Sequence, residues 1–379
     1  MINSLYIIII MFISILALIP LVSYINENKI IILNNRNRIN NIDGLRGYLA
    51  IGVFVHHFMI TYYWHRIGHW VSLSQNFINN LGQISVVLFF MITGYLFFSK
   101  IMRSKFNIKS FFIKRFFRLA PLYYFIIFLM LLVIFSQQKF VLYEDYGLLS
   151  KHIAKWLLFL QADINNYSNT VHINITKITA GVTWTLIYEW IFYISLPILF
   201  IGLKKSKILF YIICCLVLYY AIYPVNINLY YFTLNSLFLV LFFFGFIFVQ
   251  MEHVKDKINF DNNIISFINI ATLLFITLFF ETSYGVTQFV LLGGVFSMIV
   301  LGNSLFGILK LNFSRILGEI SYSIYLLHGI VLFIIYKLLL NVKLEIYHMP
   351  IVLFVVILFS LWTYKFIEKP MIQLGRKYR

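Results

Sequence analysis

The chain has 379 residues, of which 61% are hydrophobic and only 11% charged. That composition excludes a disordered protein and an ordinary soluble domain, because too few charges remain to solvate a surface. The formal net charge is +17, but Lys and Arg fall in short clusters between apolar runs, as in the cytoplasmic loops of a membrane protein. No compact basic domain for nucleic acid is expected.

Eleven apolar segments are long enough to cross, or nearly cross, a hydrocarbon core of about 30 Å. They are expected near residues 4–25, 47–65, 81–99, 117–136, 183–203, 208–224, 230–250, 264–281, 286–308, 320–340 and 349–367. The expected fold is therefore an all-α polytopic helix bundle with about 11 transmembrane helices. The first 25 residues lack a basic start and a small-x-small cleavage site, so they are read as a retained helix rather than a signal peptide. With the N-terminus outside, the inside connections hold 22 Lys and Arg against 7 outside, and the C-terminus is cytoplasmic. The expected location is therefore integral to a membrane. Only the outside connection 137–182 is long. Its stretch Trp156–Leu160 is too short to span and is expected at the interface or re-entrant. Cys214 and Cys215 are adjacent in an apolar run, match no metal or disulfide spacing, and are expected to face lipid or to pack.

Ionisable residues inside apolar segments are costly and stand as functional candidates. Arg46 and His57 are eleven residues apart, a rotation about 20° beyond three helical turns and a rise of roughly 16 Å. One helix face thus carries a cation at its mouth and an imidazole near the midplane. The competing reading of His57 is a packing histidine. His56 points about 100° away and is expected to pack or to line a cavity edge. Asp43 is nearly in phase with His57, and is equally read as the N-cap of a helix opening at Gly44.

Arg115 and Arg118 share a helix face at a spacing of three. Planar guanidinium forks suit phosphate, so they are candidates for an anionic cofactor arriving from the cytosol. The same pair also reads as an inside-positive flank against lipid headgroups. Glu189 lies roughly 9 Å inside its helix and needs a partner or a proton. It is a candidate for holding an imidazolium or orienting a sugar hydroxyl, and equally for a structural ion pair. His328 follows Tyr325 by one turn, and stands as a second candidate to line the same cavity. No Gly-x-Ser-x-Gly elbow, Walker A sequence, His-Glu-x-x-His or Cys-x-x-Cys occurs, and nothing suggests a metal.

Six blocks in order resemble the acyltransferase 3 family, membrane proteins that acylate surface carbohydrates and other acceptors. Asp43-Gly44-Leu45-Arg46-Gly47 with His57 is similar to its opening motif and meets its Arg-x10-His spacing. Phe89-Phe90-Met91-Ile92-Thr93-Gly94-Tyr95-Leu96 resembles its Phe-Phe…Ser-Gly-Phe-Leu block, with Thr93 where Ser is usual. Arg115 to Pro121 matches its Arg-x-x-Arg element. Trp184 to Pro197 resembles its Trp-Ser-Leu…Glu-Glu…Phe-Tyr…Pro block, with Glu189 at the first Glu and Trp190 replacing the second. Leu317 to His328 and Glu368-Lys369-Pro370 resemble its late blocks.

The resemblance implies a ten-helix core over residues 42–372, an added N-terminal helix at 1–25 and a short basic tail at 373–379. It implies acyl transfer from a coenzyme A thioester, acetyl-CoA or another acyl-CoA, to a hydroxyl on a cell-surface glycan or lipid-linked sugar. Some relatives carry an extracytoplasmic hydrolase-like domain. None is read here, so the chain is expected to act alone or with a separate extracytoplasmic transfer protein. In this reading His57 is base or acyl relay, Arg46, Arg115 and Arg118 grip the cofactor, and Glu189 and His328 position the acceptor or stabilise charge. A polytopic transporter or flippase for a glycan precursor is the alternative, because intramembrane His, Glu and Arg also line substrate paths.

Overall fold

The computed structural model describes residues 4–378 except 32, 34–38, 71–74, 104–106, 138–145, 161–174, 206, 230–231, 256 and 339–343. Much of the long outside connection therefore lies outside the described residues. The molecule is a helix bundle. Its helices are α1 (Ser4–Leu16), α2 (Ile19–Glu27), α3 (Asn40–Ile67), α4 (Asn76–Arg103), α5 (Ile108–Gln137), α6 (Tyr146–Leu157), α7 (Ile175–Ile178), α8 (Trp184–Lys205) and α9 (Lys207–Ile222). A hairpin of β1 (Asn226–Leu229) and β2 (Phe232–Asn235) follows. Then come α10 (Ser236–Met251), α11 (Asn263–Phe279), α12 (Val286–Leu301), α13 (Asn312–Glu319), α14 (Ser321–Leu338), α15 (Met349–Thr363) and α16 (Lys369–Lys377).

Every apolar segment expected from the sequence coincides with a helix. By length and composition, six helices qualify to cross a membrane among the described residues, or seven if the pair α13–α14, bent by 65°, is one span. The first runs Ser4–Glu27 through α1 and α2. Apolar α11 and α12 are shorter. In lipid a spanning segment must satisfy its backbone internally, which is why the apolar runs fold as helices.

Two elements differ from the sequence reading. The segment expected at 230–250 starts later, because β1 and β2 pair antiparallel before it, with Asn226 opposite Asn235 and Asn228 opposite Thr233. Asn235 then caps α10 by accepting from the backbone N–H of Leu237 at 2.8 Å. Asp43 is not an N-cap. The helix opens at Asn40 after an extended Ile39, so Asp43 lies within the first turn, where a carboxylate suits the positive helix end. The Trp156–Leu160 stretch ends α6 and turns inward: Trp156 and Phe159 are buried while Leu157 and Leu158 are exposed. Cys215 lies exposed on α9 and Cys214 is half-buried.

A polar clamp fixes the start of α3. The turn after α12 puts Leu305 and Phe306 at φ 49° and 58°, a conformation side chains adopt at a cost. Asp261 holds it, accepting from the Ser304 N–H at 3.0 Å and hydroxyl at 2.5 Å and pairing with Lys310 at 2.6 Å. Buried Asn303 and Asn41 complete the clamp, Asn41 donating to the carbonyls of Gly302 and Asn303. Partial burial opposes charge on Asp261, but Lys310 and Ser304 outweigh it and hold the carboxyl below its usual range. A depressed carboxyl contributes stability that is present at neutral pH and lost as pH falls through its folded value. Asp261→Ala is expected to cost about 1 kcal/mol, the scale of a net hydrogen bond in a partly exposed site. The check is the thermal midpoint in detergent, which should fall in the variant at pH 7.5 and converge with the parent on acidification.

Candidate active site: an arginine-lined cavity beside an imidazole pair

A cavity of about 450 Å³ lies inside the bundle, in the size range of small-molecule sites. α3 supplies Asp43 and Arg46, α4 supplies Thr93, Tyr95, Lys100 and Arg103, and α5 supplies Arg115 and Arg118. α8 supplies Thr185, Glu189 and Tyr193, while Glu319, Tyr322 and Tyr325 come from the α13–α14 pair. The structure thus brings Arg46, Arg115, Arg118 and Glu189 to one chamber from three helices. Arg115 and Arg118 both line this space.

The charged groups are held in order. Arg115 sits over the Phe97 ring, 4.7 Å from its centroid, and lies near Tyr193. The Tyr193 hydroxyl donates to Glu189 Oε2 at 2.8 Å, and Thr93 donates to Oε1 at 3.5 Å. Glu189 therefore lies within electrostatic reach of Arg115, Arg46 and Arg118. Toward the α4 end, Glu252 accepts from Tyr95 and pairs with Arg103. Buried Glu368 accepts from Ser323 and feels Arg118 and Arg46. It belongs to a π-helical turn at Tyr364–Glu368, a backbone form common at functional sites.

His57 and His328 do not line the cavity. They pair with each other: His328 Nε2 lies 3.1 Å from His57 Nδ1, with ring centroids 5.1 Å apart. His57 Nδ1 is also 3.1 Å from the Val53 carbonyl, and His328 Nδ1 is 3.0 Å from the Ile324 carbonyl. The link to the cavity is Tyr325. It lines the chamber, its ring is 6.2 Å from His328, and its hydroxyl meets Thr185 Oγ1 at 2.9 Å and the Val182 carbonyl at 3.1 Å. The continuous path expected from Arg46 to His57 is therefore interrupted here, although α3 runs unbroken through both. His56 packs: its Nδ1 donates to the Ile78 carbonyl at 3.0 Å, and its ring fills the space a Gly82 side chain would take.

The sequence reading gave no role to Tyr193, Lys100, Arg103, Glu319, Glu252 or Glu368. Glu319 and Glu368 stand inside recognisable blocks, which was the available signal. The two departures from the usual blocks have different consequences. Thr93 keeps the hydroxyl that a Ser would offer to Glu189. Trp190 replaces a carboxylate with a ring packed on Phe159 at 5.1 Å and Tyr193 at 5.9 Å, so an acidic position becomes an aromatic wall.

A helical membrane bundle with basic and carboxylate side chains around an interior chamber, and an imidazole pair beside it, defines an integral membrane protein with an enzyme-like site. The Acyl_transf_3 family model, described as an acyltransferase domain, matches residues 39–365, and the chain belongs to that family. No curated protein and no solved structure matches it.

Proposed function

We propose that this membrane acyltransferase moves an acyl group, in the first instance acetyl, from a coenzyme A thioester to a hydroxyl of a cell-surface glycan or lipid-linked sugar. The observation that carries the reading is the convergence of Arg46, Arg115 and Arg118 on one interior cavity. Guanidinium groups grip phosphates with parallel hydrogen bonds, and a donor bearing phosphates explains three of them in an apolar protein. The thioester supplies an activated carbonyl carbon and a good leaving group. Arg115 and Arg118 bind the phosphates from the side bearing Lys100 and Arg103, and Glu189 keeps the guanidinium planes oriented through Tyr193.

His57 supplies the base. Its Nε2 takes the proton of the acceptor hydroxyl as that oxygen bonds to the acyl carbon, and returns it to the departing sulfur as the C–S bond breaks. A covalent relay through the same nitrogen fits the geometry equally, and an acid quench with labelled donor separates the two. Because neither imidazole lines the cavity, transfer requires Tyr325 to swing away from Thr185.

The direct test supplies labelled acetyl-CoA to purified protein in nanodiscs, with and without surface glycan. Label should appear on glycan hydroxyls. Transmembrane movement of a glycan precursor without any donor, and no label transfer, would establish a transporter instead. Arg118→Ala is expected to raise the KM for the thioester about tenfold, the effect of losing about 1.4 kcal/mol from a charge-assisted contact, with kcat changed much less. An unchanged KM would place the donor elsewhere.

A further inference from the structure

The hydrogen bonds of the imidazole pair leave little choice of tautomer. The Ile324 carbonyl can only accept, so His328 Nδ1, 3.0 Å away, carries the proton. In a neutral His328 the Nε2 atom is then an acceptor. It faces His57 Nδ1 at 3.1 Å, and the Val53 carbonyl faces the same atom at 3.1 Å. Two acceptors converge on one nitrogen, and a single Nδ1–H on His57 satisfies both. The lone pair of neutral His57 is thereby placed on Nε2.

The surroundings hold this arrangement. His328 is fully buried, and the next residue, Gly329, lets the Thr179 backbone approach so closely that a side chain there would overlap it. The His57 backbone carbonyl accepts from Thr61 at 2.8 Å, and the His56 ring lies 4.8 Å away but spends its Nδ1 proton on Ile78.

We infer that His328 is a positioning residue that sets the tautomer of His57, so that Nε2 rather than Nδ1 is the nitrogen able to accept a proton or an acyl group. This gives His328 a role through His57 rather than through the acceptor. When Nε2 takes a proton, the Nδ1–H stays in place between its two acceptors, and the imidazolium needs no rearrangement. The wrong tautomer would present an N–H where a lone pair is required, a defect that costs about 10⁴-fold in the serine-protease triad. The role in turnover rests on the acyl-transfer reading; the tautomer assignment does not.

The test therefore begins with a measurement that needs no turnover. Protein labelled with ¹⁵N-histidine is placed in bilayers at pH 8. Solid-state NMR then reads the two ring nitrogens of His57, assigned by their loss in His57→Asn. The expected result is a protonated Nδ1 and an unprotonated Nε2, with through-space contact to His328. A protonated Nε2 on neutral His57 would overturn the inference whatever the protein's activity. Two variants then separate positioning from packing. His328→Gln places an amide oxygen able to accept from His57 Nδ1, whereas His328→Asn can only mimic the Nδ1–H donor toward Ile324. Gln should keep the His57 tautomer and at least a tenth of kcat. Asn leaves the Val53 carbonyl as the one remaining acceptor for Nδ1–H, so the Nε2–H population should rise and kcat should fall about 10²-fold, with the KM for the thioester unchanged. Equal activity in the two variants would reject the positioning role.

Discussion

His57→Asn is expected to lower kcat about 10³-fold while the protein still inserts, accumulates and binds its donor. The substitution is chosen from the geometry. An asparagine amide projects an N–H close to the position of the imidazole Nδ1, so it still donates to the Val53 carbonyl and to His328. The half of the ring that is lost is the one bearing Nε2. A positioned base contributes about 10² to 10⁴ in rate, and removing it without disturbing the fold should cost an amount within that range. The KM for the thioester should stay within about twofold, because the arginines that line the cavity sit three turns away along α3 or on other helices. The measurement is steady-state transfer of labelled acetyl to glycan, with expression and size-exclusion profile as controls. Near-normal turnover in a well-behaved variant would remove His57 from the chemistry. A variant that fails to accumulate would mark the ring as a packing element.

How much of this was readable in the chain depends on whether a feature is local. The helix carrying Arg46 and His57 was legible, because one apolar run contains both and helical geometry fixes their relative direction. Its true start was not, because Asp43 read as the N-cap of a helix opening at Gly44, and the bonds from Asn41 to the carbonyls of Gly302 and Asn303 that hold the earlier start join distant parts of the chain. Arg115 and Arg118 were legible as a pair on one face. Whether that face met lipid or a chamber was not, since periodicity says which residues share a side but not what the side touches. The His57–His328 contact joins residues 271 positions apart, and no spacing rule reaches that far. The pairing of β1 with β2 was a different kind of miss. Asn226-Ile227-Asn228-Leu229 alternates polar and apolar residues, a period-two signal submerged in its apolar surroundings. The Phe89-to-Leu96 block was recognised by resemblance, yet the reason Gly94 must be there became physical only with its partner helix in view.

That partner yields the largest expected structural effect. Among the described residues α4 and α10 pack more extensively than any other helix pair, and their backbones touch at Gly94 and Gly245. A side-chain carbon at Gly94 would stand 2.0 Å from the Phe242 carbonyl oxygen, and one at Gly245 would stand 2.0 Å from the Tyr95 backbone nitrogen. Both obstacles are backbone atoms, so no rotamer change relieves them and the helices must separate by an ångström or more. In a bilayer no hydrophobic force returns them to contact, because lipid tails are as apolar as the faces exposed. Gly94→Val is therefore expected to cost more than the roughly 1–3 kcal/mol of ordinary overpacking, and to abolish the monodisperse peak of a fluorescent fusion on size exclusion. Gly94→Ala carries the smallest possible intrusion and tests the link to chemistry. Thr93, its neighbour, donates to Glu189, and the Phe90 ring packs at a tilt on Phe242 with centroids 4.9 Å apart, so a displaced α4 pulls on the cavity wall. That variant should fold with a thermal midpoint lowered by several degrees and a KM for the thioester raised more than its kcat is lowered. Wild-type stability in Gly94→Ala would mean that the two helices do not meet at this point.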